Sequence, residues 1–476
     1  MLPTPADPEL ILRENAVAGT EAWRLAQPRT DDSGIRCPWI EGYCSSTSVG
    51  AGESITFHVS TNPPSSFSID LYRMGWYGGA GARHVRRLGP LAGRAASDPP
   101  PDVRRLRECA WEGSADLTIP SDWVSGVYLG VLTAERDGVQ SYVVFVVRDA
   151  RAADFVFQCS DLTWQAYNRW PDRFSLYDDG EKPWAWGPDV DVSFDRPYGK
   201  YRQLVDAPLS TGSGEWLLWE YPLAYWMEAQ GYDVTYVSGL DTHRDARAHR
   251  RAQGFLAVGH DEYYTMPMFR GVQDLIASGV NVAFLSGNTC CGLVALRAAR
   301  TGAGDRILQR RARFGGSRPE ELEWFPEQRL LPESAPNESR LVGARTTVPA
   351  TGTGAWTCVL PDHWLFAGTG MRAGDGIPGL VGWEYNGEPA DLPGLEIVAS
   401  GPTRSHHGEG VYSATIYPGP AGNVVFNAST CWWSHGVAAP PGHVRITTAG
   451  GTSAEPDPRA QRITSNLLAR MRSATP

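Results

Sequence analysis

The sequence predicts a two-domain protein of mixed class, with an N-terminal β-sandwich ahead of a larger α/β domain built on a parallel sheet. Three observations predict it. At 476 residues the chain exceeds what one hydrophobic core usually organises. Its first third alternates apolar and polar residues between turns rich in Gly and Pro. Beyond about residue 150, short apolar runs alternate with segments of helical period.

Residues 35–149 read as strands. Ile55, Phe57 and Val59 in SITFHVS alternate with polar neighbours, as do Phe67, Ile69 and Leu71 in FSIDLYR. GVYLGVLTA and SYVVFVVRD are later runs rich in β-branched and aromatic residues, and NPPSS, YGGAGAR and SDPPPD are the turns. Short strands, frequent turns and no helical period point to a sandwich. The polar tract RDARAAD marks the boundary, giving a sandwich over residues 1–150 and an α/β domain over 151–476.

In the second part, strands are expected over 154–160, 232–239, 254–260 and 280–288. Trp216, Trp219, Leu223 and Trp226 share a helical face that ends at Gly231, with Pro222 either kinking that helix or starting a new one. A later helix has Thr265 as N-cap, Pro267 in its first turn, Phe269, Val272 and Ile276 on one face, and Gly279 at its end. This alternation implies a parallel sheet with right-handed crossovers. The strand- and turn-rich region beyond residue 340 continues the same domain.

Composition excludes several classes. A net charge of -10 argues against nucleic acid as the main partner. No stretch reaches the roughly 18 apolar residues of a membrane span, and the start of the chain lacks the pattern of a signal peptide. A cytoplasmic protein is expected. None of the eight cysteines forms a CxxC pair. Cys37 and Cys44 are near enough to bridge a turn, but reduced thiols are the better default in that compartment.

Ligands of an open parallel sheet bind at the carboxyl ends of its strands. That rule selects Trp164, Tyr167 and Asn168 after the first strand as substrate-binding candidates. It selects His260, Asp261, Glu262 and Tyr263 after the third, and Asn288 and Cys290 after the fourth. Imidazole, carboxylate and phenol can bind a metal or move a proton, though consecutive residues cannot all face one centre. His260 and Glu262 are therefore catalytic candidates, while Asp261 and Glu262 also suit a helix N-terminus. SGNTCCG resembles a strand-to-helix nucleophile elbow, with Asn288 in place of the first Gly. Cys290 there is a nucleophile, a pocket residue or a small buried hydrophobe, and Asn288 can stabilise an oxyanion. Glu384, among aromatic and apolar neighbours, suits an acid, a base, a ligand or a loop ion pair. His406, His407 and His435 read as structural or solvent-exposed.

The ordered segments EGYCSSTSVGAGESITFHVST, LYRMGWYGGAGAR, DLTWQAYN, SLYDDG, SFDRPYG, GYDVTYVSGLDTH, GHDEYYT, GMRAGDGIPGLVGWEYNG and GNVVFNASTCWW resemble the N,N-dimethylformamidase large (beta) subunit-like family over residues 38–440. The resemblance implies a glutamine-amidotransferase-like (flavodoxin-like) α/β domain. It also implies a mononuclear iron held by two tyrosines and a glutamate, where water attacks a formamide carbonyl. Tyr263 matches the tyrosine of the family's His-Pro-Glu-Tyr motif, with Asp261 replacing the proline. Pro222 occupies the second tyrosine's position, between Tyr221 and Tyr225, and Glu321, Glu323 and Glu327 compete for the glutamate. Tyr263, Tyr221 and Glu323 are taken as the metal set.

The expected function is a metal-dependent hydrolase cleaving the C–N bond of a small amide or formamide, with an amide substrate larger than dimethylformamide. A homo-oligomer or a small accessory subunit is the expected assembly. The rivals are a metal-free cysteine amidohydrolase using Cys290 with His260 as base, and a non-catalytic small-ligand-binding protein. The GWYGGAGAR loop is expected to pack on the α/β domain near the pocket mouth.

Overall fold

The computed structural model describes residues 7–182, 184–201 and 207–473. A short helix α1 (Leu10–Asn15) precedes eight strands: β1 (Glu41–Cys44), β2 (Ser48–Gly50), β3 (Ser54–Ser60), β4 (Phe67–Met74), β5 (Ala82–Leu91), β6 (Ala115–Thr118), β7 (Gly126–Ala134) and β8 (Gln140–Arg148). They form a three-stranded sheet in the order β1-β3-β6 and a five-stranded sheet in the order β2-β8-β7-β4-β5. Ile55, Phe57 and Val59 of β3 share one core with Ile69 and Leu71 of β4 and with Val143 and Phe145 of β8. The period-two pattern thus turns these apolar residues to a common interior.

The five-stranded sheet has a second buried face. Tyr72, Val127, Leu129, Val131 and Val144 pack in the same core as Phe155, Phe157, Leu223 and Leu256 from beyond residue 150. A sheet covered on both sides needs apolar residues at successive positions, which explains why β7 and β8 read as continuous runs. Charge crosses the same boundary. Arg73 on β4 bonds Glu228 through both terminal nitrogens, at 3.0 and 2.9 Å, with both side chains fully buried.

From residue 153 strands and helices alternate. β9 (Ala153–Cys159) leads into α2 (Asp161–Tyr167), and β10 (Asp191–Ser193) precedes α3 (Trp216–Trp219) and α4 (Tyr221–Ala229). Next come β11 (Val234–Ser238), α5 (Gly239–Asp245), β12 (Ala252–Gly259), β13 (Tyr263–Tyr264), α6 (Met266–Ala277) and β14 (Asn281–Ser286). β15 (Gly292–Arg297), β16 (Ile307–Arg313) and α7 (Pro319–Trp324) follow, then β17 (Ala344–Thr351), β18 (Gly354–Thr357), β19 (Gly376–Val381) and β20 (Glu384–Pro389). Of the last strands, β21 (Glu396–Ser405) and β22 (Gly408–Pro418) form a hairpin before β23 (Val424–Asn427).

The central sheet has seven strands in the order β11-β9-β12-β14-β23-β22-β21. The first five are mutually parallel, and β22 and β21 add on antiparallel. Strand order reverses between β9 and β12, so a crevice opens where their carboxyl ends diverge. The chain leaving β9 carries α2, and the chain leaving β12 carries His260 to Tyr263. On one face of the sheet, Val156, Phe255 and Val282 pack on Phe269, Val272 and Ile276 of α6. Thr265 caps that helix by accepting from the Met268 amide, as its sequence predicts.

Of the two readings of Pro222 the structure takes the second: it opens α4, while α3 ends at Trp219. One local expectation is corrected. The SGNTCCG turn leads into strand β15 and not into a helix. The Cys290 and Gly292 amides donate to the Asp261 and Glu262 carbonyls, pinning the turn beside β13. Among the described residues, no helix is long and apolar enough to cross a membrane.

Candidate active site

The chain leaving β12 has little freedom. The Thr163 hydroxyl on α2 accepts from the Glu262 and Tyr263 amides at 3.1 and 3.2 Å, and the Ser286 hydroxyl accepts from the Asp261 amide at 3.1 Å. Alternate residues then point opposite ways. Asp261 turns back beneath the sheet, where its carboxylate accepts from Gln158 and Tyr264 at 2.8 and 2.7 Å. His260 and Glu262 turn to the crevice.

There they meet Glu384, the first residue of β20. His260 Nε2 lies 2.7 Å from Glu384 Oε2 and 3.5 Å from Glu262 Oε2. One ligand atom from each of the three residues falls within 4.8 Å of the other two. Glycine permits this approach: a Cβ at Gly287 would stand 2.2 Å from the Glu384 carbonyl oxygen. The residues around it hold left-handed backbone, with φ 51° at Asn288, 57° at Cys290 and 56° at Trp383. An indole residue in that region is strained, a feature that concentrates at functional sites.

Each carboxylate is oriented by neutral donors. Tyr167 donates to Glu262 Oε2 at 2.8 Å and Tyr177 to Oε1 at 3.0 Å. The Tyr177 oxygen is 2.6 Å from the Tyr263 hydroxyl, which accepts from Arg310 Nη2 at 2.8 Å. Arg310 can only donate, so the bonds run from Arg310 to Tyr263 to Tyr177 to Glu262. Asn288 Nδ2 donates to Glu384 Oε2 at 2.9 Å, and Thr346 donates to Asn288 Oδ1 at 2.7 Å, which fixes the amide's direction. Both of these Glu384 contacts fall on Oε2.

Burial opposes a charge on His260, but Glu384 and Glu262 outweigh it and hold the imidazole up at about 9. Burial and then the Glu384 charge push Glu262 upward. Glu215, bonded by the Trp219 indole at 2.9 Å, is held up at about 8 by burial.

Glu262, Glu384 and Asn288 line a cavity of about 710 Å³, with Tyr167, Tyr177, Trp184, Trp186, Trp324 and Trp383 among its walls. The residues fit a divalent cation. The donor set is one imidazole and two carboxylates, all buried, and two of its members face open space. His260 Nε2 has no hydrogen-bond partner of acceptable geometry despite its short approach to Glu384. That nitrogen becomes a metal ligand once an ion displaces the proton that the two carboxylates favour there.

The structure brings together His260, Glu262, Asn288, Glu384 and Tyr167. The remaining candidates lie as follows. Tyr221 does not join Tyr263, because its helix turns it towards the N-terminal sheets, where its hydroxyl donates to the Gly81 carbonyl at 3.1 Å. Glu323 is exposed on α7, and Glu321 is the glutamate of that helix that reaches the cavity. Tyr263 has its hydroxyl between Tyr177 and Arg310. Trp164 gives its indole N–H to Glu220 at 2.8 Å, and Asn168 bonds Gln165 and the Pro197 carbonyl; neither lines the cavity. Cys290 is buried with its thiol pushed well up by burial, and Cys291 is the one that reaches the wall. The GWYGGAGAR loop packs on α4, yet no described residue before 167 lines the cavity.

Sequence reasoning missed Tyr177, Arg310 and Thr346. Tyr177 lies in SLYDDG, whose residues form no regular element and follow no periodicity. Arg310 is a buried cation in mid-strand, which nothing in IleLeuGlnArgArgAlaArg separates from its half-buried neighbours.

The family profile described as N,N-dimethylformamidase beta subunit-like, C-terminal, matches residues 68–445. The chain belongs to that family. In this member of the dimethylformamidase-like family, the matched span contains every residue of the site just described. No protein of curated function matches the chain in sequence.

Proposed function

We propose that the protein is a metal-dependent hydrolase cleaving the C–N bond of an amide, with His260, Glu262 and Glu384 holding the ion. The clustering of those three groups beside a large cavity carries the reading, and family membership supports the reaction class. The order β11-β9-β12-β14-β23 supports a flavodoxin-like domain behind a sandwich. The site lies at its switch point.

A bound divalent ion supplies Lewis acidity towards the amide carbonyl and lowers the pKa of a nearby water. The protein does the rest. Tyr167 and Tyr177 hold both oxygens of Glu262, so that carboxylate keeps one orientation. Asn288 holds Oε2 of Glu384, the oxygen nearest His260, which leaves Oε1 to accept a proton from water and pass it to the departing amine. The second amide hydrogen of Asn288 is available to a developing oxyanion.

The test is metal analysis of the purified protein together with amine release from a formamide series. About one ion per chain is expected, with His260→Ala and Glu384→Gln losing both ion and activity. Cys290→Ser should stay active. Amide hydrolysis by metal-free protein, abolished by Cys290→Ser, would overturn the proposal.

A further inference from the structure

The cavity is far larger than a small formamide requires. Its volume of about 710 Å³ lies in the range of pockets that enclose drug-sized ligands, roughly 300–1,000 Å³. Dimethylformamide has only a handful of non-hydrogen atoms and would leave most of that space empty.

Exposed large apolar side chains gather at the mouth. Trp184, Trp324 and Val348 are 47%, 41% and 36% exposed, and all three line this one cavity. An exposed indole loses hydration entropy for no structural gain, so two at one opening indicate a surface kept for a ligand. Their rings are set for stacking. Trp324 meets His407 edge-on with centroids 4.4 Å apart, and Trp184 meets Tyr177 edge-on at 5.6 Å, which leaves ring faces uncovered by those partners. Tyr177 in turn donates to Glu262, so Trp184 stands one ring away from the reacting centre.

Charge at the walls narrows the class. Lys182 is paired with Glu327 at 2.8 Å, Arg313 with Glu321 at 2.8 Å and Arg404 with Glu409 at 3.3 Å. Among the described residues, each Lys and Arg of the wall therefore already has a carboxylate, so no free cation is left to pair with an anionic group. Resting on the hydrolase reading above, we infer that the substrate is an uncharged amide with a planar aryl group next to the scissile bond, held by Trp184 and Trp324.

Formanilide and N-cyclohexylformamide share a skeleton and differ in planarity, so their comparison isolates the aryl face. Affinity of the full-length protein for each, and for dimethylformamide, is read by quenching of indole fluorescence and by calorimetry. Formanilide should bind at least threefold tighter than the cyclohexyl analogue, and Trp184→Leu and Trp324→Leu should each weaken it by up to about tenfold. In turnover assays the loss should fall on KM more than on kcat. Equal affinity for the two formamides, tighter binding of dimethylformamide, or unchanged affinity in both variants would overturn the inference. The unmodified protein gives the first comparison even where a variant fails to fold. Preferential binding of formanilide without release of aniline would sink the hydrolase reading and leave aryl recognition standing.

Discussion

Replacing Tyr263 with Phe separates two accounts of the site. In the geometry described, the Tyr263 hydroxyl is a link between Arg310 at 2.8 Å and Tyr177 at 2.6 Å. In the ligand set implied by family resemblance, the same oxygen binds the metal. Removing it strips a charge-assisted bond from Arg310, which is fully buried and keeps only longer bonds to the Leu176 and Gly187 carbonyls, at 3.2 and 3.4 Å. Bonds of that kind contribute about 1.5–3 kcal/mol, so the urea midpoint should fall by a corresponding amount. The carboxylate of Glu262 would lose the tyrosine that steadies its own donor, but would keep Tyr167. Loss of a group that orients a ligand costs about 10–100-fold in metal affinity or activity. The assay is titration of the ion against a competing chelator, with visible absorption recorded alongside. Tyr263→Phe should keep a bindable ion at weakened affinity and show no lost absorption band. A folded variant that binds no ion at all, or that loses a phenolate-to-metal band present in the parent, would refute the linking role. So would affinity and kcat/KM both within twofold of the parent.

Arg73→Met should destabilise the protein by about 3–5 kcal/mol, because it leaves Glu228 charged, buried and without its cation. Combining it with Glu228→Leu should recover much of that loss in urea denaturation; a cost below about 1 kcal/mol for the single variant would show that the pair is not a structural tie. His435 is fully buried, its Nε2 against the Leu218 carbonyl at 2.8 Å, and burial holds its pKa down at about 3. The unfolded chain binds a proton near pH 6.5 that the folded chain refuses, so this residue's contribution is intact above 6.5 and is lost as pH falls towards 3. At pH 5 the loss is about 2 kcal/mol. Asp161 and Glu215, held up at about 7 and about 8 mainly by burial, act in the opposite sense, favouring the fold as pH falls. The measurement is therefore the stability difference between the parent and His435→Gln, which should shift in the variant's favour between pH 7 and pH 5; a constant difference would sink the argument.

Most of what the sequence makes legible rests on periodicity and on the rule about strand ends. Ile55, Phe57 and Val59 announce a strand with one buried face, and Thr265 with Pro267 announces the start of a helix, because both signals lie within a few residues of each other. The strand-end rule works for His260, Glu262 and Asn288 for the same reason, since each immediately follows a parallel strand. What is not legible depends on rotation. Glu323 lies two residues from Glu321, which reaches the cavity, and Tyr221 is buried against the N-terminal sheets; a helix turns each residue by about 100°. The break after Trp219 lets Pro222 restart the helix, and that reset decides that Tyr221 reaches Gly81 and not the crevice.

Partnership across long separations is the other gap, and here it decides the chemistry. Glu384 is conspicuous alone, as a carboxylate among aromatic residues, but nothing near it in sequence names His260 as its neighbour. The sheet does so. β14 lies between β12 and β23, so the turn after β14 stands next to the end of β12. The same turn carries Gly287, whose missing side chain admits the Glu384 carbonyl, and Asn288, whose amide holds the Glu384 carboxylate. One turn thus supplies both the room for Glu384 and its orientation, and brings it to a histidine more than a hundred residues away. A side chain at Gly287 would push β20 outward and dissolve the group of three, although none of the three would have changed.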